Sequence, residues 1–180
     1  KRLRTYGKVR ELEALLLETP VHGECGIAHT RWATHGVPNT VNAHPMMSRD
    51  DVALIHNGII ENHEELRAEL QSQGYVFTSE TDTEVMAHLV NHLLSQGNDL
   101  YGAVRLAATR LRGAFAIAVV SAQEPGVVVG ARVGSPMVLG LGVDENFIAS
   151  DIHPLLPVTN RFIYLEEGDV VRIDTKGYEI

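Results

Sequence analysis

The chain has 180 residues, of which 44% are hydrophobic and 21% are charged, a balance typical of a folded globular protein rather than a disordered one. Its formal net charge of −8 argues against nucleic-acid or anionic-membrane binding as the main role. The single cysteine excludes an internal disulfide and predicts a cytoplasmic protein, and the longest apolar runs are too short to span a bilayer.

The N-terminal part of the chain combines one helix with two strand-like runs. Apolar residues at helical spacing predict a helix over residues 8–18, and Pro20 stops it. Residues 25–29 and 51–56 have the composition of buried strands, and each run delivers polar residues to a following loop. The stretch 36–45 is rich in turn-forming residues, so we expect a surface loop there.

Three helices are predicted in the middle of the chain. The first covers residues 61–71, with Asn62 at its cap position. The second begins in the stretch 79–84, whose Ser, Thr and acidic residues suit a helix N-terminus, and runs to about Leu94. The third covers residues 98–111.

Short strand-like runs follow these helices. They cover residues 114–121, 126–131, 137–141, 146–149, 161–164 and 169–173. Most connections are too short for crossover helices, so the strands should pair largely antiparallel. Helices grouped before strands predict an α+β fold rather than an alternating α/β sheet. We find no repeat or linker and expect one domain over residues 1–180.

Two polar clusters near the strand-like runs suggest acyl transfer on an amino acid. Arg31 presents a guanidinium that can bind a carboxylate through two hydrogen bonds. Asn57 and Gly58 offer an amide and a backbone N–H, a natural donor pair for an oxyanion. The alternatives are a surface ion pair for the arginine and a type I′ hairpin turn for the Asn-Gly pair. Such a site also needs a nucleophile, which the chain does not obviously contain.

Other candidates have stronger structural alternatives. Asp82 suits a helix cap or a first-turn acid. His88 and His92 are four residues apart on a helix, as in a zinc pair, but no glutamate lies between them and no compact third ligand follows, so we predict no metal site. Cys25 follows Gly23-Glu24 within a strand-like run, and a lone cysteine in such a run is more often a small buried side chain than a reactive thiolate.

Six motifs carry a resemblance to a known family. In chain order they are Gly-Ile-Ala-His-Thr-Arg-Trp-Ala-Thr-His-Gly (26–36), Asn-Ala-His-Pro (42–45), His-Asn-Gly-Ile-Ile-Glu-Asn (56–62), Ser-Glu-Thr-Asp-Thr-Glu-Val (79–85), Leu-Arg-Gly-Ala-Phe (111–115) and Leu-Glu-Glu-Gly-Asp-Val (165–170). Together they closely resemble the glutaminase domains of the glucosamine-6-phosphate synthase family, the isomerising glutamine–fructose-6-phosphate aminotransferases, which are class II glutamine amidotransferases. The resemblance implies a four-layer αββα sandwich of the N-terminal-nucleophile hydrolase class.

The resemblance also implies roles for individual residues. Arg31 would bind the α-carboxylate of glutamine and Asp82 its α-ammonium. Thr34 and His35 would line the glutamine pocket, and Asn57 and Gly58 would form the oxyanion hole. The resemblance further places Trp32 on a loop that closes over glutamine and controls ammonia passage, and His44 on a loop near the site.

The family resemblance implies further features of the whole enzyme. Glutamine would be the substrate, ammonia would pass to a fused sugar-isomerising domain, and that domain would form a homodimer; no cofactor is implied. The family's nucleophile is an N-terminal cysteine whose α-amine is the base. Because this chain starts at Lys1, we expect it to lack the family's first segment and, alone, to be inactive. The alternatives are a glutaminase domain of another amidotransferase and a non-catalytic glutamine-binding regulatory module.

Overall fold

The computed structural model describes residues 1–32 and 35–180, and within these ranges it contains four α-helices and nine β-strands. The helices are α1 (Val9–Glu18), α2 (His63–Ser72), α3 (Asp82–Ser95) and α4 (Leu100–Arg110). The strands are β1 (Met46–Ser48), β2 (Val52–Ile60), β3 (Gly113–Ser121), β4 (Val128–Val133), β5 (Val138–Leu141), β6 (Asn146–Ala149), β7 (Phe162–Tyr164), β8 (Val170–Ile173) and β9 (Tyr178–Glu179). A short 3-10 turn lies at His153–Leu155.

The strands form two antiparallel sheets. The larger sheet has six strands in the order β1-β2-β3-β4-β8-β9, and the smaller has three in the order β6-β5-β7. The longest pairing joins β2 to β3 from Val52↔Ser121 to Ile60↔Gly113. These two strands are neighbours in the larger sheet, although the chain between them contains α2, α3 and α4.

Two apolar clusters lie on opposite faces of the larger sheet. Successive side chains of a strand point to opposite faces. Phe115 and Ile117 of β3 therefore pack in the cluster formed with α2, α3 and α4, whereas Ala116 packs in the second cluster with Leu139 of β5 and Val171 of β8. The order of layers is helices, larger sheet, smaller sheet, and the predicted α+β sandwich with antiparallel sheets is confirmed.

The predicted helices exist with small shifts at their ends. α3 begins after Thr81, whose hydroxyl accepts the N–H of Glu84 at 3.2 Å. The Glu84 carboxylate reaches back past the cap residue and accepts the N–H of Thr78 and of Ser79. These bonds fix the first turn of α3 against the loop before it. None of the helices in the described ranges combines the length and the hydropathy needed to cross a membrane.

Three local predictions were wrong. Residues 25–29 are neither a strand nor buried, and Cys25 is exposed, because no described strand pairs with this apolar run. Asn57 and Gly58 do not lie on a loop or in a hairpin turn; they lie within β2, paired with Ala116 and Phe115 of β3. Asn62 occupies the N-cap position of α2, but its side chain bonds the backbone of Arg110 and Arg112 instead of the helix start.

Candidate functional site

A cavity of about 280 Å³ lies between β2, the first turn of α3 and residues 29–32, the last residues of the first described range. Its size is near the lower end of small-molecule sites. Six of the residues predicted to act in the site line it: Arg31, Trp32, His44, Asn57, Gly58 and Asp82. His35 lies beside it, with its Nδ1 at 3.8 Å from the carboxylate of Asp82. Thr34 lies outside the described residues.

Asp82 is the first residue of α3 and its side chain is buried, with the residue 3% exposed. Its Oδ2 accepts the backbone N–H of Ile60 at 3.0 Å, and the Nδ1 of His56 lies 3.8 Å from the same oxygen. The helix is capped by Thr81 rather than by this aspartate. A buried carboxylate at a helix N-terminus is favoured by the helix dipole, and one that is not needed as a cap is available to a ligand.

The side chain of Asn57 is oriented by a residue that the sequence analysis missed. His29 donates its Nε2 proton to the Asn57 Oδ1 at 2.8 Å, which leaves the amide N–H groups of Asn57 to face other acceptors. Burial lowers the pKa of His29, against the opposing effect of this hydrogen bond, so the ring is neutral. The only local signal for His29 was its place two residues before Arg31, on the same side of an extended run.

Gly58 presents its backbone N–H to the side of β2 that faces away from β3. The N–H groups of an antiparallel strand alternate in direction. Ile60 donates to Asp82, whereas Glu61 donates to the carbonyl of Arg112 on the β3 side, so the N–H of Gly58 shares the direction of Ile60. β1 pairs with β2 only as far as Leu54, which leaves this edge open at Gly58 among the described strands.

Arg31 is held by its own loop. Its guanidinium donates to the carbonyls of His35, Gly36 and Val37, the last two at 3.3 and 3.4 Å. Burial lowers the pKa of this guanidinium, and the carboxylates of Asp82 and Glu80 act in the opposite sense. The structure thus places Arg31 at the cavity wall, with part of its donor capacity directed to the backbone.

The same loop is tied to the start of α3 by Asn42. Its amide donates to the carbonyl of Val37 and to Oε2 of Glu80, both at 3.0 Å, and its oxygen accepts the N–H of Glu80. In the sequence, Asn42 is part of the Asn-Ala-His-Pro motif, which by itself predicts no role for it. Trp32, on this loop, lines the cavity but is 90% exposed.

Two buried histidines form one wall of the cavity. The imidazoles of His44 and His56 both contact the hydroxyl of Thr83, at 3.0 and 3.2 Å. Burial, with neighbouring histidines and arginines, lowers the pKa of His44 to about 2. Burial also lowers the pKa of His56 to about 4, although Asp82 acts to raise it. Both rings are therefore neutral at physiological pH.

The remaining candidates lie elsewhere. The two ring nitrogens of His88 are taken by Ser48 Oγ and the carbonyl of Val76, and in the described ranges no three His, Cys, Asp or Glu residues are grouped to hold a metal ion. Cys25 lines a separate cleft beside Val127, whose carbonyl lies 3.9 Å from its Sγ. Partial burial raises the pKa of this thiol, which disfavours the thiolate.

Comparison with known proteins identifies relatives over nearly the whole chain. The glutamine–fructose-6-phosphate aminotransferase [isomerizing] of Pseudomonas putida is 57% identical over 173 residues, which are 96% of this chain and 28% of that protein. The enzyme of the same name from Escherichia coli K12 is 56% identical over 179 residues, 99% of this chain and 29% of that protein. The chain therefore spans under a third of the length of these relatives.

Solved structures share the fold. The glutamine phosphoribosylpyrophosphate amidotransferase of B. subtilis, complexed with ADP and GMP, matches with a TM-score of 0.68 and 25% identity over 84% of this chain and 33% of that chain. A second structure, that of the allosteric regulatory enzyme of purine biosynthesis, matches with a TM-score of 0.69, 27% identity and the same coverage. These likenesses confirm the predicted sandwich of the N-terminal-nucleophile hydrolase type. A family model described as a glutamine amidotransferase domain matches residues 29–157. The chain belongs to the glutamine amidotransferase domain family.

Proposed function

We propose that this chain is the glutamine-hydrolysing domain of an isomerising glutamine–fructose-6-phosphate aminotransferase. One observation supports this above all: Arg31, Asp82, Asn57 and Gly58 line a single cavity. They are the groups needed at the two ends of glutamine, a charged pair for its zwitterion and two N–H donors for its amide. Identity of 54–57% to the aminotransferases, against 25–27% to the solved phosphoribosyl-type structures, favours this enzyme over other amidotransferases.

In this proposal the amino-acid end of glutamine binds between Asp82 and Arg31. The Asp82 carboxylate takes the α-ammonium. A guanidinium has five N–H donors, so those of Arg31 that are not taken by backbone carbonyls bind the α-carboxylate. Thr34 and His35 complete the pocket. Trp32 lies on the loop that closes over it, beside the loop of His44.

At the amide end, a thiolate attacks the side-chain carbonyl carbon of glutamine. The carbonyl oxygen becomes an oxyanion that accepts hydrogen bonds from the Asn57 amide and the Gly58 N–H. The α-ammonium of the terminal cysteine gives a proton to the leaving nitrogen, so collapse of this intermediate expels ammonia, and water then hydrolyses the thioester to glutamate. The family's nucleophile is an N-terminal cysteine with its own α-amine. Cys25 is not assigned this role, because it lines a different cleft and its pKa is raised.

The remaining proposals concern the whole protein. Residues 1–180 would form one glutaminase domain fused to a synthase domain, which converts fructose 6-phosphate to glucosamine 6-phosphate with the released ammonia. The synthase domain would carry the homodimer contact, the protein would be cytoplasmic, and neither a cofactor nor a nucleic-acid or membrane partner is needed.

The test is an Asn57→Ala substitution in the complete product of the gene that encodes these residues. Loss of one oxyanion donor should lower kcat for glutamine hydrolysis by about 10²–10³-fold. Isomerisation of the sugar phosphate, measured separately, should stay near the unsubstituted value. The matched control is Asn160→Ala, since Asn160 is exposed and makes no side-chain hydrogen bond within the described residues.

Two outcomes would contradict the proposal. Equal loss of hydrolysis and sugar isomerisation would mean that Asn57 acts in folding. Saturable glutamine binding with no hydrolysis by the unsubstituted protein would instead favour a regulatory glutamine-binding module.

A further inference from the structure

The hydroxyl of Thr83 lies between two buried imidazoles. Its Oγ1 is 3.0 Å from Nε2 of His44 and 3.2 Å from Nδ1 of His56, and 3.4 Å from Oδ1 of Asp82. Thr83 is 1% exposed, and both histidines are buried. These contacts join residues that are up to 39 positions apart in the chain.

The number of available protons determines which atom donates in each hydrogen bond of this cluster. A threonine hydroxyl has one proton to donate and two lone pairs to accept with. The Nδ1 of His56 faces Thr83 and, at 3.8 Å, also the carboxylate of Asp82, so the ring proton belongs on Nδ1. The Thr83 oxygen then accepts from His56 and donates its own proton to the nearer of its two remaining partners, Nε2 of His44.

These hydrogen-bond directions also determine the protonation of the ring nitrogens that do not contact Thr83. His56 is left with an unprotonated Nε2, and His44 with a protonated Nδ1. Both atoms are buried, and neither has a hydrogen-bond partner among the described residues. Burial keeps both rings uncharged, since it lowers the pKa of each well below the ordinary value. A neutral ring holds one proton, and the Thr83 hydroxyl is the hydrogen-bond partner that accepts it from His56 and donates to the unprotonated Nε2 of His44.

We propose that Thr83 is a positioning residue of the glutamine site, whose hydroxyl fixes the tautomers of His56 and His44 and so holds the Asp82 carboxylate in the orientation that takes the substrate ammonium. The proposal rests on the proposed function. His56 can face Asp82 with an N–H only while a neighbouring acceptor keeps the proton on Nδ1. The Ile60 N–H fixes the same carboxylate from the strand side, which leaves its other lone pairs for the ligand.

The test replaces Thr83 by Val, which keeps the shape and removes the hydroxyl, and by Ser, which keeps the hydroxyl. Nitrogen NMR of histidine-labelled protein reports which ring nitrogen is protonated. In the unsubstituted protein we expect protonated Nδ1 on both His56 and His44. In Thr83→Val, both His56 and His44 should become mixtures of tautomers, because the carboxylate of Asp82 at 3.8 Å is too far to hold the His56 proton alone, and Thr83→Ser should restore the original pattern. Thr109→Val is the matched control, because Thr109 is an exposed helical threonine.

Steady-state kinetics of the complete gene product supplies a second measurement. Thr83→Val should raise KM for glutamine by about 10-fold, the size expected when a hydrogen bond beside a charged group is lost, and change kcat by less than about 3-fold. Thr83→Ser should return KM to within about 2-fold of the original. A merely structural role would lower the amount of active protein and kcat without raising KM.

The outcomes separate this proposal from the proposed function. Unchanged tautomers in Thr83→Val, or changed tautomers with an unchanged KM, would overturn it. If Thr83→Val does not fold, the unsubstituted spectrum decides, since a proton on Nε2 of His56 contradicts the assigned order. A protein that never hydrolyses glutamine would refute the proposed function, and the tautomers would still test the hydrogen-bond order.

Discussion

Replacing Gly58 by Ala should destabilise the fold strongly, because this position has no room for a side chain. Gly58 lies within β2 at φ +128°, a conformation that L-residues rarely adopt. A Cβ built there would lie 2.0 Å from the carbonyl oxygen of Ala114 and 2.9 Å from the Cα of Phe115. These are backbone atoms of β3, so no rotation of a side chain relieves the overlap.

The cost has two parts. A non-glycine residue in a sparsely populated backbone region costs about 1–3 kcal/mol. Overpacking that forces a backbone shift costs about 1–3 kcal/mol more. The expected loss in the free energy of unfolding is therefore about 2–6 kcal/mol, which is a large share of the total for a domain of this size.

Urea unfolding followed by far-ultraviolet circular dichroism measures this loss, with linear extrapolation to zero denaturant. Gly177→Ala is the control, since a Cβ there meets nothing within 4 Å and its φ is not in the left-handed region; its effect should stay within about 1 kcal/mol. A loss below about 1 kcal/mol in Gly58→Ala would refute the argument from close packing of β2 and β3.

Gly113 provides a comparison that separates stability from chemistry. It lies at φ +122° on β3, and a Cβ there would be 2.2 Å from the carbonyl oxygen of Ile59. Gly113→Ala should therefore cost a similar amount of stability. Only Gly58 lines the cavity, so at a temperature where both variants are folded, Gly58→Ala should lose more glutamine hydrolysis.

Three further predictions concern the pH dependence of stability, the role of Arg31 and the role of Cys25. Burial holds the pKa of His56 at about 4 and that of His44 at about 2, against 6.5 for each ring in the unfolded chain, so the unfolded state binds more protons below pH 6.5. Stability should be full above pH 6.5 and fall as pH drops toward 4, by about 3 kcal/mol per ring, and a His44→Gln variant should show a smaller pH slope in urea unfolding. Arg31→Lys should raise KM for glutamine by about 10-fold or more and leave sugar isomerisation intact, because an ammonium cannot bind a carboxylate through the same fork; an equal effect on both activities would indicate a structural role. Cys25→Ser should leave glutamine hydrolysis by the complete gene product nearly unchanged, and protection of Cys25 by glutamine against a thiol reagent would contradict this.

The sequence was sufficient to predict most elements, because their signals are local. The run at 146–149 is a strand with the predicted bounds, and the Ser/Thr/acidic stretch before α3 marks a helix start that the structure places at Asp82. Asn57 and Gly58 were misplaced, because an Asn-Gly pair favours a turn in isolation. Their pairing with β3 is contributed by residues more than fifty positions away, which no local pattern reports.

The same reason explains what was missed in the candidate site. Arg31, Asn57, Gly58 and Asp82 were named as candidates from residue type and from motifs, and the structure brings them to one cavity. Thr83 was not named, although it is adjacent to Asp82, because its importance depends on two histidines that approach it only in the fold.

The neutral histidines and the charged pair of Arg31 and Asp82 together determine the charge balance of the cavity. Among the described residues that line it, Arg31 and Asp82 are the two that carry charge at neutral pH, because burial keeps the histidines of the wall uncharged. One cation and one anion complement an amino-acid zwitterion. If His44 and His56 were protonated, the cavity would hold excess positive charge beside the carboxylate that we propose takes the ammonium, and that ammonium would be repelled. Burial of these rings is unfavourable for stability in acid, but it leaves the Asp82 carboxylate as the dominant charge that an α-ammonium meets at this end of the proposed site.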